Sequence, residues 1–272
     1  MDHKVTDINN LPSAIEGMKQ LKERFSMKKP VIFLDYDGTL TPIVTDPAKA
    51  ILSFEMRQTL ILLSSLCYTI VVSGRDRKDV KNKVGLEDLY YAGSHGFDIS
   101  GPGGLTMEHA EAMKLLSVFD EVDNLLNEHL KSFEKVQVER KRYAIAVHYR
   151  NAGEEDVEDI KNKVNQVLDI YPVLKKGPGK KIVELKPNID WDKGRAVLWI
   201  MRELKVADND HIPVYIGDDL TDEDAFSAIQ KDGVGIVVGT HDGLSKASYR
   251  LGNVDEVMLW LQDLIVFLKE NK

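Results

Sequence analysis

Apolar residues recur along this chain in two rhythms. Short unbroken runs at 31–34, 68–72, 90–92, 213–216 and 235–238 leave no polar face. Strands that read this way are buried on both sides, as in a parallel sheet. Between them, apolar residues fall three and four apart. The clearest cases are 11–26 (Leu11, Ile15, Met18, Leu21, Phe25), 54–66, 196–204, 222–229 and 254–269. These spacings predict helices, the last with a core-facing stripe of Val254, Val257, Met258, Leu261, Leu264, Ile265 and Leu268. Alternation of strand, loop and helix predicts an α/β fold with a Rossmann-like parallel-sheet core.

The texture changes at the turn-rich Gly101-Pro102-Gly103-Gly104. A long helix is predicted over 107–132, then a hairpin from 136–139 and 143–149, a helix over 154–168, and a strand pair, 173–175 and 182–185, around Gly177-Pro178-Gly179. That block predicts a small inserted α+β domain. The expected division is therefore a core of 1–101 and 191–272 with an insertion of 102–190. The chain carries neither an internal repeat nor a low-complexity tract.

Composition narrows the classes. A length of 272 residues suits two domains, and 43% hydrophobic with 29% charged is ordinary for a globular protein. The net charge of −8 gives no basic footprint for nucleic acid, so any phosphate site must rest on local cations and a metal. Cys67 is the one cysteine, which excludes an internal disulfide and fits a reducing compartment; between Leu66 and Tyr68 it reads as a small buried hydrophobe. No apolar run is long enough to span a membrane, and Met1-Asp2-His3-Lys4 lacks a signal-peptide layout, so a cytoplasmic location is expected.

The chemistry lies where the strands end. Asp35-Tyr36-Asp37-Gly38-Thr39 follows the first run, and Gly217-Asp218-Asp219-Leu220-Thr221-Asp222-Glu223-Asp224 follows the fourth. Parallel sheets bind ligands outside the carboxyl ends of their strands. Two carboxylate clusters at one edge repel unless a cation joins them, and hard oxygens of this kind suit Mg²⁺ with a phosphate. Asp35 is placed to attack phosphorus in line and form an aspartyl-phosphate. Asp37, two residues on, is placed to protonate the leaving oxygen and later to accept a proton from water. Gly38 allows the tight loop, and Thr39 offers a donor to the phosphoryl group or the loop. An EF-hand reading fails because Pro42-Ile43-Val44 supplies none of the further ligands. Ser73 and Lys193 are the expected phosphate holders, although alone they would read as a helix cap and a surface lysine. Asp222 opens a helix, where capping and metal support coexist.

With these loops in order, the chain resembles the haloacid dehalogenase-like phosphatases and, within them, the trehalose-6-phosphate phosphatase family. The residues that carry this are Asp35 to Ile43, Ser73-Gly74-Arg75, Gly93-Ser94-His95-Gly96, Trp191-Asp192-Lys193-Gly194 and Gly217 to Phe226. The resemblance implies Asp35 as nucleophile, Asp37 as acid/base, and Ser73 and Lys193 on the phosphate. It implies Mg²⁺ on Asp35, the Asp37 carbonyl and Asp218, with Asp219 and Asp222 as supports behind them. The insertion resembles this family's cap, whose sugar-binding candidates are Glu139, Arg142, His148, Tyr149 and Arg150 on one hairpin and Lys180, Lys181, Glu184 and Lys186 on the other. Arg75, Ser94 and His95 are added as substrate-binding candidates from the core. A small sugar phosphate is the expected partner, with a trehalose-6-phosphate synthase as a further one, and the expected state is a monomer.

Two other readings are kept. One is a phosphatase of sucrose 6-phosphate or mannosyl-phosphoglycerate, against which Val147-His148-Tyr149-Arg150 and Val183-Glu184-Leu185-Lys186-Pro187 weigh. The other is a catalytically idle regulatory module, against which the presence of Asp35, Asp37, Ser73, Lys193 and Asp218 weighs.

Overall fold

The computed structural model describes residues 5–44, 46–177, 181–239 and 243–271. Its strands are β1 (Thr6–Asp7), β2 (Lys29–Leu34), β3 (Thr69–Val72), β4 (Tyr90–Gly93), β5 (Asp98–Ser100), β6 (Thr106–Glu108), β7 (Gln137–Lys141), β8 (Ala144–His148), β9 (Leu174–Gly177), β10 (Ile182–Pro187), β11 (His211–Gly217), β12 (Val234–Val238), β13 (Leu244–Ser245) and β14 (Tyr249–Leu251). Its α-helices are α1 (Met18–Met27), α2 (Phe54–Ser64), α3 (Arg77–Val84), α4 (Ala110–Met113), α5 (Leu116–Leu130), α6 (Val157–Ile170), α7 (Lys193–Glu203), α8 (Asp222–Ile229) and α9 (Val254–Glu270). The chain divides into two compact units. One comprises the chain up to Thr106 and from Trp191 onward, the other Met107–Asp190.

The first unit is built on an eight-stranded sheet of order β14-β12-β11-β2-β3-β4-β5-β6. From β14 to β4 neighbouring strands run parallel, and β5 turns antiparallel to β4. Residues 30–34 of β2 and all of β3 and β12 are buried, as their unbroken apolar runs require. One face carries Ile32, Leu34, Val71, Val214 and Ile216, packed with Met56, Leu60 and Leu63 of α2 and Trp260, Leu261 and Leu264 of α9. On the other, Phe33 stacks on Tyr215, and Phe226 of α8 meets Tyr215 edge-on. The register pairs Leu34 with Ile216 and Val71, and Val72 with Ala92. Asp35, Ser73, Ser94 and Asp218 therefore all leave the sheet at its carboxyl edge.

Two helices differ from their spacing. The first begins at Met18 rather than at residue 11. Leu11 and Ala14 are buried, but residues 12–14 lie along β14: the Ala14 N–H donates to the Arg250 carbonyl at 2.9 Å and the Arg250 N–H to the Pro12 carbonyl at 3.0 Å. An edge strand needs partners for its backbone, and that need outweighs local helical spacing. The stretch expected as one helix over 107–132 opens with β6 and the one-turn α4, then breaks at Lys114 and Leu115 before α5. Leu115 sits at φ −94°, ψ 2°, outside the helical well. Helix α3 and strands β5, β6 and β14 were not expected from the pattern.

The second unit is a four-stranded antiparallel sheet, β7-β8-β10-β9. Ile145, Val147, Val183 and Leu185 point to one face and pack with Phe119, Val122 and Leu126 of α5 and Ile160 and Val164 of α6. Period-two alternation then puts Glu139, Lys141, His148, Glu184 and Lys186 on the opposite face. Among the described residues, no helix is long and apolar enough to cross a membrane.

Candidate active site

Lys193 organises the carboxyl edge of the first unit. It is the first residue of α7, whose N-cap Asp192 accepts a bond from the Arg195 N–H at 2.8 Å. Helix α7 lies close against α8: a Cβ on Gly194 would come within 2.3 Å of the Asp224 carbonyl oxygen. Lys193 is thereby turned inward and is only 3% exposed. Its Nζ donates to Asp35 Oδ1 and to Asp222 Oδ1, both at 2.7 Å. Asp222 Oδ1 also accepts from the Tyr215 hydroxyl at 2.7 Å, and its Oδ2 from the Asp219 N–H at 3.0 Å. Asp35 itself is buried, with its N–H donating to the Ile216 carbonyl at 2.9 Å.

Carboxylates outnumber this ammonium. Side-chain oxygens of Asp35, Asp218 and Asp222 lie within 4.8 Å of one another, a group with the spacing and the hard-oxygen chemistry to hold a metal ion. Burial raises the pKa of Asp35 well above the usual carboxylate range; Lys193 opposes that, and Asp222, Asp218 and Asp219 reinforce it. Burial also raises Asp222, against Lys193. Asp218 is pushed up to about 8 by burial and by the charges of Asp222 and Asp219. Lys193 is held well above its ordinary value: burial works against the ammonium, but Asp222 and Asp35 outweigh it. Burial and the mutual repulsion of like charges at short range account for these shifts.

Asp219 stands apart from the three. Its Oδ1 accepts from the Thr221 N–H at 2.7 Å and the Thr221 hydroxyl at 2.6 Å. Although burial works against its charge, Lys193 and the Thr221 bonds bring its pKa below the ordinary value. Gly38 is required where the two acidic loops meet. Its φ is +85°, and a Cβ there would lie 2.1 Å from Asp218 Oδ2.

Asp37 points to a different partner. Arg75 grips it bidentately, Nε to Oδ2 and Nη2 to Oδ1, both at 2.7 Å. The same guanidinium donates to Asp79 at 3.0 Å and to the Pro47 carbonyl at 2.9 Å, and lies 5.5 Å from the Tyr36 ring centroid. Four of its five N–H groups are thus spent inside the protein. Arg75, expected as a substrate contact, holds the Asp37 carboxylate in place.

Ser73 is buried, and its hydroxyl oxygen accepts the Arg75 N–H at 3.1 Å. That leaves the hydroxyl hydrogen to be donated elsewhere. Thr39, also buried, has a hydroxyl without a hydrogen-bond partner among the described residues. Ser94 and His95 both adopt left-handed backbone, at φ 49° and 56°. The Ser94 N–H donates to the Arg75 carbonyl at 2.7 Å and the His95 N–H to the Ser73 carbonyl at 2.9 Å. The Ser94 hydroxyl donates to Asp76 Oδ1 at 2.8 Å, so this side chain ties two loops together. Left-handed non-glycine residues cost about 1–2 kcal/mol each, and pairs of them gather at functional loops. The His95 ring lies against Gly74, where a Cβ would approach its Cε1 to 2.9 Å.

In the second unit, Glu139 pairs with His148 at 2.8 Å, Arg142 with Glu108 at 2.8 Å, and Glu184 with Lys141 at 3.2 Å. The last pair reaches across β8, which lies between β7 and β10. The register puts Ala144 and Ala146 beneath that crossing, and only small side chains there leave room for it. Glu184 is nonetheless buried. Lys141 was not singled out from sequence, where it falls between the two expected hairpin strands, 136–139 and 143–149. Tyr215 was missed because a tyrosine in an apolar strand reads as core. Lys180 lies outside the described residues.

Comparisons with known proteins bear on the family and the fold. A family model described as trehalose-phosphatase matches residues 33–257. A probable trehalose-phosphate phosphatase of Arabidopsis thaliana is 41% identical over 268 residues, covering 93% of this chain and 77% of that protein. A probable trehalose-phosphate phosphatase of Oryza sativa is 41% identical over 266 residues, covering 96% of this chain and 72% of the relative. Among solved structures, the C-terminal domain of the Candida albicans trehalose-6-phosphate phosphatase superposes with a TM-score of 0.77 at 23% identity. It covers 94% of this chain and 98% of that one, a likeness of fold.

Proposed function

The chain belongs to the trehalose-phosphatase family, and on that premise we propose that it hydrolyses trehalose 6-phosphate to trehalose and phosphate through an aspartyl-phosphate on Asp35. The observation that supports this most is the buried Asp35 carboxylate beside Lys193, with Asp218 and Asp222 in the same cluster. Asp35 attacks phosphorus; the new O–P bond forms as the bond from phosphorus to the sugar oxygen breaks. Asp37 delivers a proton to that oxygen, and trehalose leaves. Water then attacks phosphorus with Asp37 taking its proton, which restores Asp35 and releases phosphate.

Arg75 sets the direction of the Asp37 carboxylate throughout. The Ser73 hydroxyl and the Lys193 ammonium bear on the phosphoryl oxygens, where negative charge concentrates in the transition state. Asp35 and Asp218, with the Asp37 carbonyl, are the residues that would hold Mg²⁺, backed by Asp219 and Asp222. When bound, the ion would neutralise the carboxylates and polarise the phosphate. His95 faces the leaving sugar. In the second unit, Glu139, Arg142, His148 and Glu184, joined by Lys141, bond to sugar hydroxyls. A cytoplasmic monomer supplied by a trehalose-6-phosphate synthase completes the proposal.

The test is phosphate release with Mg²⁺ from trehalose 6-phosphate, sucrose 6-phosphate, glucose 6-phosphate and mannosyl-phosphoglycerate. At least a hundredfold preference in kcat/KM for the first is expected. Preference for another member would overturn the substrate, and no release from any would overturn the enzyme.

A further inference from the structure

The buried end of the Lys193 relay is Tyr215, a residue that the reaction above does not use. Its side chain is fully buried in β11, with its ring stacked on Phe33 at 6.5 Å and edge-on to Phe226 at 5.7 Å. Its hydroxyl donates to Asp222 Oδ1 at 2.7 Å. Two other buried tyrosines show how a purely structural hydroxyl is satisfied here. Tyr36 donates to the Ala50 carbonyl at 3.0 Å and Tyr91 to the Leu86 carbonyl at 2.6 Å. Tyr215 instead places its hydroxyl on the carboxylate that shares Lys193 with Asp35. A phenylalanine would fill the same space, and what the tyrosine adds is this one bond to a buried carboxylate.

We propose that Tyr215 is a positioning residue for phosphoryl transfer, its hydroxyl fixing Asp222 and, through it, the Lys193 ammonium against Asp35. The geometry accounts for how. Asp222 is wholly buried and holds three donors: Tyr215 and Lys193 on Oδ1, the Asp219 N–H on Oδ2. With all three in place, the carboxylate plane has one orientation. Without the tyrosine hydroxyl, Oδ2 keeps the Asp219 N–H but Oδ1 loses the bond that sets it apart from Lys193, and the Lys193–Asp222 pair shifts against Asp35. An ammonium displaced by a fraction of an ångström no longer meets the charge that develops on the phosphoryl oxygens. Losing such a supporting bond typically costs tenfold to a hundredfold in activity.

The inference rests on the proposed hydrolysis, so wild type is assayed alongside. Tyr215→Phe keeps the ring and removes only the hydroxyl. Phe33→Leu disturbs the same ring packing and keeps the hydroxyl. The expected result is a kcat loss of about tenfold or more for Tyr215→Phe, with KM within threefold. Phe33→Leu should melt lower yet keep kcat within threefold. A kcat loss under threefold in Tyr215→Phe, or an equal loss in Phe33→Leu, overturns the positioning role while the hydrolysis stands. Wild type that releases no phosphate overturns the functional reading itself.

Discussion

Replacing Asp218 by asparagine should make the metal-free protein more stable, by an amount that grows with pH. The folded protein holds the Asp218 proton up to about pH 8, against an ordinary 3.8. A folded-state pKa above the unfolded one means that stability is lost as pH rises between those two values. Each pH unit of that window costs at most about 1.4 kcal/mol, an upper bound of ~6 kcal/mol by pH 8. Relaxation of Asp35 and Asp222 and the nearness of Lys193 reduce the realistic figure to about 1–3 kcal/mol. Asparagine keeps the shape and sheds the charge, so its gain should be near zero at pH 4, largest at pH 8 and flat above. At about 2–4 °C per kcal/mol, the difference is within reach of calorimetry. Wild type and variant would be melted in EDTA at pH 5, 6.5 and 8, then with Mg²⁺ at pH 8. Mg²⁺ should raise wild type markedly and the variant little. The reasoning fails if the variant is no more stable at pH 8 in EDTA, if its gain is the same at pH 5, or if Mg²⁺ raises both equally.

Other substitutions probe the neighbouring parts. Arg75→Lys loses the bidentate grip on Asp37 and should cut kcat by tenfold to a hundredfold with little change in KM, measured by steady-state phosphate release. Gly38→Ala meets both a positive φ and the Asp218 carboxylate; a loss of about 2–4 kcal/mol in urea unfolding, with activity abolished, is expected. Glu184→Gln breaks the charge pair with Lys141 and should raise KM for trehalose 6-phosphate at least tenfold while kcat changes less than threefold.

The parts of the site that sequence made legible are those fixed by strand ends. Asp35 and Asp218 follow unbroken apolar runs, and a parallel sheet has one edge to which both can lead. Lys193 was recognisable from its motif, but its burial depends on α7 packing close against α8, which no local pattern records. The Arg75 grip on Asp37 was illegible for the same reason: it joins the loop after β2 to the loop after β3. The bond from the Ser94 hydroxyl to Asp76, which ties two loops together, has no local signal either. Residues 11–17 carried helical spacing, yet residues 12–14 pair with the edge of β14, since tertiary hydrogen bonds outweigh a weak local preference. Lys141 and Glu184 meet only because Ala144 and Ala146 are small, a fact of register rather than of sequence order.

The central claim is that Asp35 carries the phosphoryl group. Its most direct test is a single turnover of trehalose 6-phosphate, quenched in acid within milliseconds, reduced with tritiated borohydride and mapped by peptide. Tritium should fall on the peptide containing Asp35, whose carboxyl becomes an alcohol as phosphate leaves. In Asp35→Asn it should vanish, with turnover reduced at least a thousandfold. Label on another residue, or an Asp35→Asn enzyme that turns over near the wild-type rate, would contradict the account.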